Sequence, residues 1–312
     1  MNFDQIKLIV AMKKLILAPL LLLIAFGISA QVEVGKAKNT IMGKGKLLAT
    51  PVSELLIDNF SLTFNLYKWA EDAGGSSNVA MSAKVGVAAR LGGMDEALAQ
   101  EITNDAYAYF VEGWKKRNVT ITLADKAVME KSKPYQKGLK KGNASITNGG
   151  VWDNPQKKSH TMIAWPEGVD IANSGSGPLA VTGNAKHMWQ YGIGNSTGFS
   201  ATIDFINFKT AKLGSTASVK SFPRLSMSGN LVATIWEKNK VGGYIGSIAT
   251  DGTEDFYTEV TDKEMEVLNS KRVDKVYQAD REKFKSNVLE MLKQSMDASF
   301  ADFDEVVAKN TK

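Results

Sequence analysis

The 312-residue chain carries 38 Lys and Arg against 33 Asp and Glu, a net charge of +5, with 44% hydrophobic residues, 23% charged residues and no cysteine. That balance is the one of an ordinary globular protein. It excludes disulfides, thiol nucleophiles and cysteine metal sites, and it gives no footprint for nucleic acid, which needs basic residues clustered on one face.

The chain opens with an export pattern. From Met12 it reads MKKLILAPLLLLIAFGISAQ. Lys13 and Lys14 form a basic n-region, Leu15 to Phe26 an apolar h-region, and Gly27-Ile28-Ser29-Ala30 a run of small residues before Gln31. This is the layout of a signal peptide. The expectation is a start at Met12, cleavage between Ala30 and Gln31, and a periplasmic or secreted mature protein. A spanning helix needs about 20 apolar residues. Pro19 interrupts this shorter run. An uncleaved segment anchoring a structural protein is the competing reading. Loss of residues 1–30 removes three lysines and one aspartate, which leaves 282 residues at a net charge of +3.

Phe60, Leu62, Phe64 and Leu66 alternate with Ser61, Thr63, Asn65 and Tyr67, which predicts a half-buried strand. Glu71 to Asn78 (EDAGGSSN) reads as a turn. Val79, Met81, Ala83, Val85 and Val87 then predict a second strand, paired with the first as an antiparallel hairpin. Gly92-Gly93 ends it. A helix is expected over 95–116, because Leu98, Ile102, Ala106, Phe110 and Trp114 make one apolar stripe. Asp95 and Glu96 at its start, and Lys115, Lys116 and Arg117 at its end, suit the helix dipole. Val119, Ile121 and Leu123 suggest a short strand, and Asp125 a cap for a short helix ending before Pro134.

Residues 138–200 are rich in Gly, Asn and Ser and read as a long insertion with a few short strands, Thr161 to Trp165 and Leu179 to Thr182 among them. Strands are then expected over 199–208, 217–236 and 241–249, with Lys238-Asn239-Lys240 and Asp251-Gly252 as turns. A terminal helix over 279–303 buries Phe284, Val288, Met291, Leu292, Ser295, Phe300 and Phe303, before a frayed tail from Lys309 to Lys312. The order predicts one α+β domain over 31–312: a mixed, mainly antiparallel sheet with helices packed on one face and the 138–200 insertion.

Catalytic constellations are hard to find. The two histidines, His160 and His187, lie 27 residues apart. A zinc site would need both of them and a distant carboxylate. Ser159 adjoins His160, and sequence neighbours do not make a triad. Gly43-Lys44-Gly45-Lys46 lacks the phosphate-loop spacing and reads as a flexible basic turn. Asp251-Gly-Thr-Glu-Asp lacks the twelve-residue calcium pattern. The lysine cluster 131, 133, 137, 140 and 141 reads as a solvated face, with an anionic surface as the alternative. No metal and no cofactor are expected. The insertion holds Trp152, Trp165 and Trp189, with His187 close by. These four are the candidate binding surface, since loops on a rigid scaffold often carry binding. The bland alternative makes the tryptophans the insertion's own core.

Three segments carry a resemblance. AKVGVAARLGG, the helix to Trp114 and NVTITLADKAVMEKS follow one another as strand, helix, strand and short helix. In that order they resemble the α/β domain of curli-secretion-type and TolB N-terminal-type envelope proteins. LSMSGNLVATIWEKN, VGGYIGSIAT and the terminal helix are similar to the later hairpin and closing helix of that group. The resemblance covers residues 79–133 and 225–300. It implies an exported, non-catalytic protein that assembles or scaffolds envelope complexes. Without a lipidated cysteine or a membrane-inserting segment, pore formation does not carry over. The functional expectation is an exported non-catalytic binding or assembly protein of the bacterial cell envelope. Its partner would be an envelope protein or a polysaccharide, without nucleic acid and with only peripheral membrane contact. A secreted hydrolase acting on polysaccharide through unidentified carboxylates is the alternative.

Overall fold

A computed structural model describes residues 32–73, 84–123, 139–140, 145–149, 159–169, 171–172, 195–213, 216–238, 240–267 and 270–311. The described elements belong to one unit, Val32–Lys312. The strands are β1 (Glu33–Val34), β2 (Lys38–Gly43), β3 (Glu54–Asn65), β4 (Tyr67–Ala73), β5 (Lys84–Gly92), β6 (Thr120–Thr122), β7 (Leu139–Lys140) and β8 (Ser145–Gly149). They continue as β9 (Ser159–Ala164), β10 (Ile171–Ala172), β11 (Ser196–Leu213), β12 (Thr216–Glu237), β13 (Lys240–Asp251), β14 (Tyr257–Val267) and β15 (Ser270–Ala279). The two α-helices among the described residues are α1 (Glu96–Lys115) and α2 (Arg281–Thr311). The fold is α+β with mixed, mainly antiparallel sheets, as the order of elements implied.

The large sheet has nine strands. Its path runs β1-β13-β12-β11-β3-β9-β8, with β2 also on β13 and β6 also on β3. The β11–β3 and β3–β6 pairs are parallel, and the other pairs in this sheet are antiparallel. A second sheet runs β14-β15-β5-β4, and β7 pairs with β10. The strand that starts at Phe60 by pattern therefore starts at Glu54. A one-residue bulge explains the difference. Ile57 pairs with Thr197 and Asn59 with Gly198, so Asp58 is extra. Leu55 and Ile57 are buried before the bulge and Phe60, Leu62 and Phe64 after it, so the alternation changes phase at Asp58-Asn59. Only glycine fits opposite. A Cβ on Gly198 would sit 2.7 Å from both Asn59 O and Asp58 Oδ1.

The expected hairpin also needs correction. β5 pairs with β4, and Leu66 is where the chain passes from the first sheet to the second. Glu71 to Ala73 are therefore strand, although their composition reads as turn. Val79, Met81, Ala83, the 125–134 helix and the 179–182 strand lie outside the described residues. Within the 138–200 segment, strand β9 pairs with β3 in the large sheet. The tail is helical through Thr311. The basic turn at Gly43 to Lys46 closes on β13, where Lys44 N–H donates to Val241 O at 2.8 Å, and leads into a 3₁₀ turn, Gly45–Ala49.

The helices cover one face of the large sheet. Every residue of the α1 stripe is at most 1% exposed. Asp95 caps the helix by accepting Leu98 N–H at 2.7 Å, and Asn118 leaves it in the left-handed region, φ 57°. Phe60 and Phe199 from the sheet meet Phe110, at ring separations of 5.5 and 6.4 Å, and Phe110 stacks on Phe300 of α2 at 6.1 Å. Trp114 stands edge-on to Phe300 and Phe303, both at 5.3 Å.

Candidate functional site

The site lies on the other face of the large sheet. Strand alternation that buries Phe60, Leu62 and Phe64 turns Asn59, Ser61 and Thr63 outward. Likewise Phe199, Ala201 and Ile203 point to the helices, while Ser200 and Thr202 point away. On β12, Met227 and Leu231 are core and Ser228 and Asn230 are outward. The register aligns these polar residues across strands. Ser61, Ser200, Asn230 and Ser247 form one row, and Thr63, Thr202 and Ser228 the next.

Asn59, Ser61, Thr63, Ser200, Thr202, Ser228 and Asn230, with Ile163 and Trp165 as one wall, line a half-open cleft of about 230 Å³. Trp165 follows the last β9 pair, Leu62 with Ala164. Pro166 then removes the next ladder donor. Helix α1 holds this corner: Gln100 Nε2 donates to Trp165 O at 2.8 Å, and Glu167 N–H donates to Asn104 Oδ1 at 2.9 Å.

Among the described residues, two buried polar atoms in this lining have no hydrogen-bond partner: Asn59 Oδ1 and Trp165 Nε1, each on a residue 5% exposed. Leaving such a group unsatisfied costs about 1–3 kcal/mol. One is an acceptor and the other a donor. Among the described residues, no ionisable side chain lines the cleft. Two residues beyond Thr202, Asp204 accepts from Asn65 Nδ2 at 2.5 Å and pairs with Lys68 at 3.2 Å, so that end carries a compensated charge. Beside the bulge, Asp58 accepts the Ser196 hydroxyl at 2.9 Å.

Of the four candidate surface residues, Trp165 alone falls among the described residues, as a buried wall of the cleft. Trp152, His187 and Trp189 lie outside them. Sequence reasoning missed the polar lining, although its signal was present: over the stretch that lines the cleft, the outward alternates of β3, β11 and β12 are Ser, Thr or Asn, with no Lys or Glu among them. Asp255 of the acidic turn pairs with Lys283 at 2.8 Å. Among the described residues, no group of three or more His, Asp or Glu could hold a metal ion, and no helix is long and apolar enough to cross a membrane.

Comparison with protein-family models, curated proteins and solved structures finds no match for this chain.

Proposed function

We propose that the protein is an exported, non-catalytic binding or assembly protein of the bacterial cell envelope, and that it binds through the cleft on the outer sheet face. The leader from Met12 to Ala30 supports export, to the periplasm or beyond. The resemblance to curli-secretion-type and TolB N-terminal-type domains supports an assembly role without chemistry of its own. The observation that carries the binding part is the concave, uncharged polar lining formed by Asn59, Ser61, Thr63, Ser200, Thr202, Ser228 and Asn230 beside the wall of Ile163 and Trp165. Concave sites with a few convergent polar groups are where ligands are held.

Crosslinking in the native envelope, affinity purification and mass spectrometry test this reading. A reproducible envelope partner is expected, with its yield cut by Ser228→Tyr, which fills the cleft from an exposed position. Recovery of the protein alone overturns it. N-terminal sequencing of the exported form should begin at Gln31. A chain retaining residues 12–30 would favour the anchored alternative.

A further inference from the structure

We infer that the cleft on the outer face of the large sheet takes one sugar residue of a neutral glycan, an inference that rests on the binding reading above and adds its ligand class. Charge is the first argument. Asn, Ser and Thr supply every polar side chain in the lining except the Trp165 indole. Among the described residues of the lining, an anionic ligand would meet no cation and a cationic ligand no carboxylate, and desolvating either ion without a partner is costly.

Donor and acceptor balance is the second argument. Trp165 Nε1 can only donate, and Asn59 Oδ1 can only accept. The lining therefore mixes donors and acceptors, and a ligand with groups that can play both parts suits it. A hydroxyl group is both. Along the floor, Ser61, Thr63, Ser200, Thr202 and Ser228 present hydroxyls that rotate to suit either role. Asn230 is already oriented, because its Oδ1 accepts from Ser247 Oγ at 2.6 Å, which leaves its amide N–H groups to donate. A polyhydroxylated ring matches such a lining, and an apolar ligand does not.

Size and place complete the case. About 230 Å³ is below the roughly 300–1,000 Å³ of pockets for drug-sized ligands and equals the liquid volume of about eight waters. That suits one ring with the rest of a chain passing through the open side. The cleft sits on a sheet face whose strands are already paired on both sides, so a peptide cannot extend the ladder there.

Calorimetric titration of protein purified from expression of the full chain tests the inference. The probes are maltohexaose, cellohexaose, chitohexaose, mannohexaose and xylohexaose, with hexagalacturonate as the anionic comparison. Saturable binding to at least one neutral hexamer is expected, accompanied by a change in tryptophan emission. Ser228→Tyr should weaken it by at least about tenfold, or 1.4 kcal/mol, with an unchanged melting temperature. Should that variant melt early, Thr63→Val carries the test, since it keeps the shape and removes one hydroxyl; a severalfold loss is expected. The inference is overturned if no neutral hexamer binds, if both variants bind like the parent, or if hexagalacturonate is preferred. If no sugar binds while Ser228→Tyr still abolishes capture of an envelope partner, the ligand class falls and the binding face stands. If the partner is captured equally by both proteins, both fall.

Discussion

Phe300 lies against the bare backbone of Gly113, so that a Cβ on Gly113 would stand 2.7 Å from Phe300 Cζ. The ring has nowhere to go. It stacks on Phe110, meets the edge of Trp114 and carries the Arg117 guanidinium 4.3 Å from its centroid. Two effects compete in Gly113→Ala. Helix propensity favours alanine by about 1 kcal/mol. Overpacking of a filled core costs about 1–3 kcal/mol. The overlap should win, with a net loss on the order of 1 kcal/mol in urea unfolding. A gain in stability would mean that α1 and α2 can separate without penalty.

Periodicity alone places Phe64 and Phe110 in the core, and both are at most 1% exposed. Phe110 touches Phe60, Phe199, Trp114 and Phe300, so its removal opens a hole bordered by both layers. Truncation of either to alanine should cost about 3–5 kcal/mol. Denaturant melts check this, and a loss below about 1 kcal/mol would show that the surrounding rings collapse into the space.

How far the sequence could be read depended on how strongly each residue's neighbours tie it to one face. The α1 stripe, the β12–β13 pair and the buried side of α2 were legible because long apolar periodicity has one physical solution. The bulge at Asp58 was not, because a phase change looks like the end of a strand. The hairpin β14–β15 was missed for another reason: DKEMEV and KRVDKV are dominated by charge and carry no simple alternation. The cleft escaped notice because an outward Ser or Thr looks like any solvent-facing residue. Only the register places Ser61 beside Ser200 and Asn230. Of the candidate residues, Trp165 is the one among the described residues, and it walls the cleft from a buried position.

Asp95 links the start of α1 to the start of α2. Its carboxylate accepts Leu98 N–H and binds Arg281 at 2.9 Å, and Arg281 also reaches Glu101 at 3.1 Å. The Leu98 N–H first, and then Arg281, hold its pKa below the ordinary value of 3.8. A depressed carboxyl stabilises the fold above its unfolded pKa, and that stability disappears as pH falls through the folded value. The window therefore lies below about pH 4. Asp95→Ala should lose about 1 kcal/mol at pH 7. Asp95→Asn keeps an N-cap and drops the charge, so it should flatten part of the acid limb while changing neutral stability less than alanine does. Melts at pH 7 and pH 3 separate the two effects. Equal acid sensitivity in the parent and Asp95→Asn would place that limb elsewhere.

Alkaline pH probes α2 from the opposite direction. Tyr109 of α1 donates to Asp297 of α2 at 2.8 Å, and burial, followed by that carboxylate, pushes its pKa up to about 12. Tyr244 of β13 donates to Asp302 at 2.8 Å and is raised further, again by burial first and Asp302 second. A raised phenol stabilises the fold fully below its unfolded pKa of about 10, and the contribution is lost as pH rises through the folded value. The parent protein should thus lose stability between about pH 10 and pH 12. Tyr109→Phe cannot ionise and should show a shallower decline across that window. Tyr244→Phe leaves Asp302 with its second donor, Asn39 Nδ2 at 2.9 Å, so the cost at pH 7 should stay near 1 kcal/mol. Unfolding followed by circular dichroism at pH 7, 10 and 12 checks both variants. Parallel curves for parent and Tyr109→Phe would mean that the Tyr109–Asp297 contact does not survive as a proton-linked bond in solution.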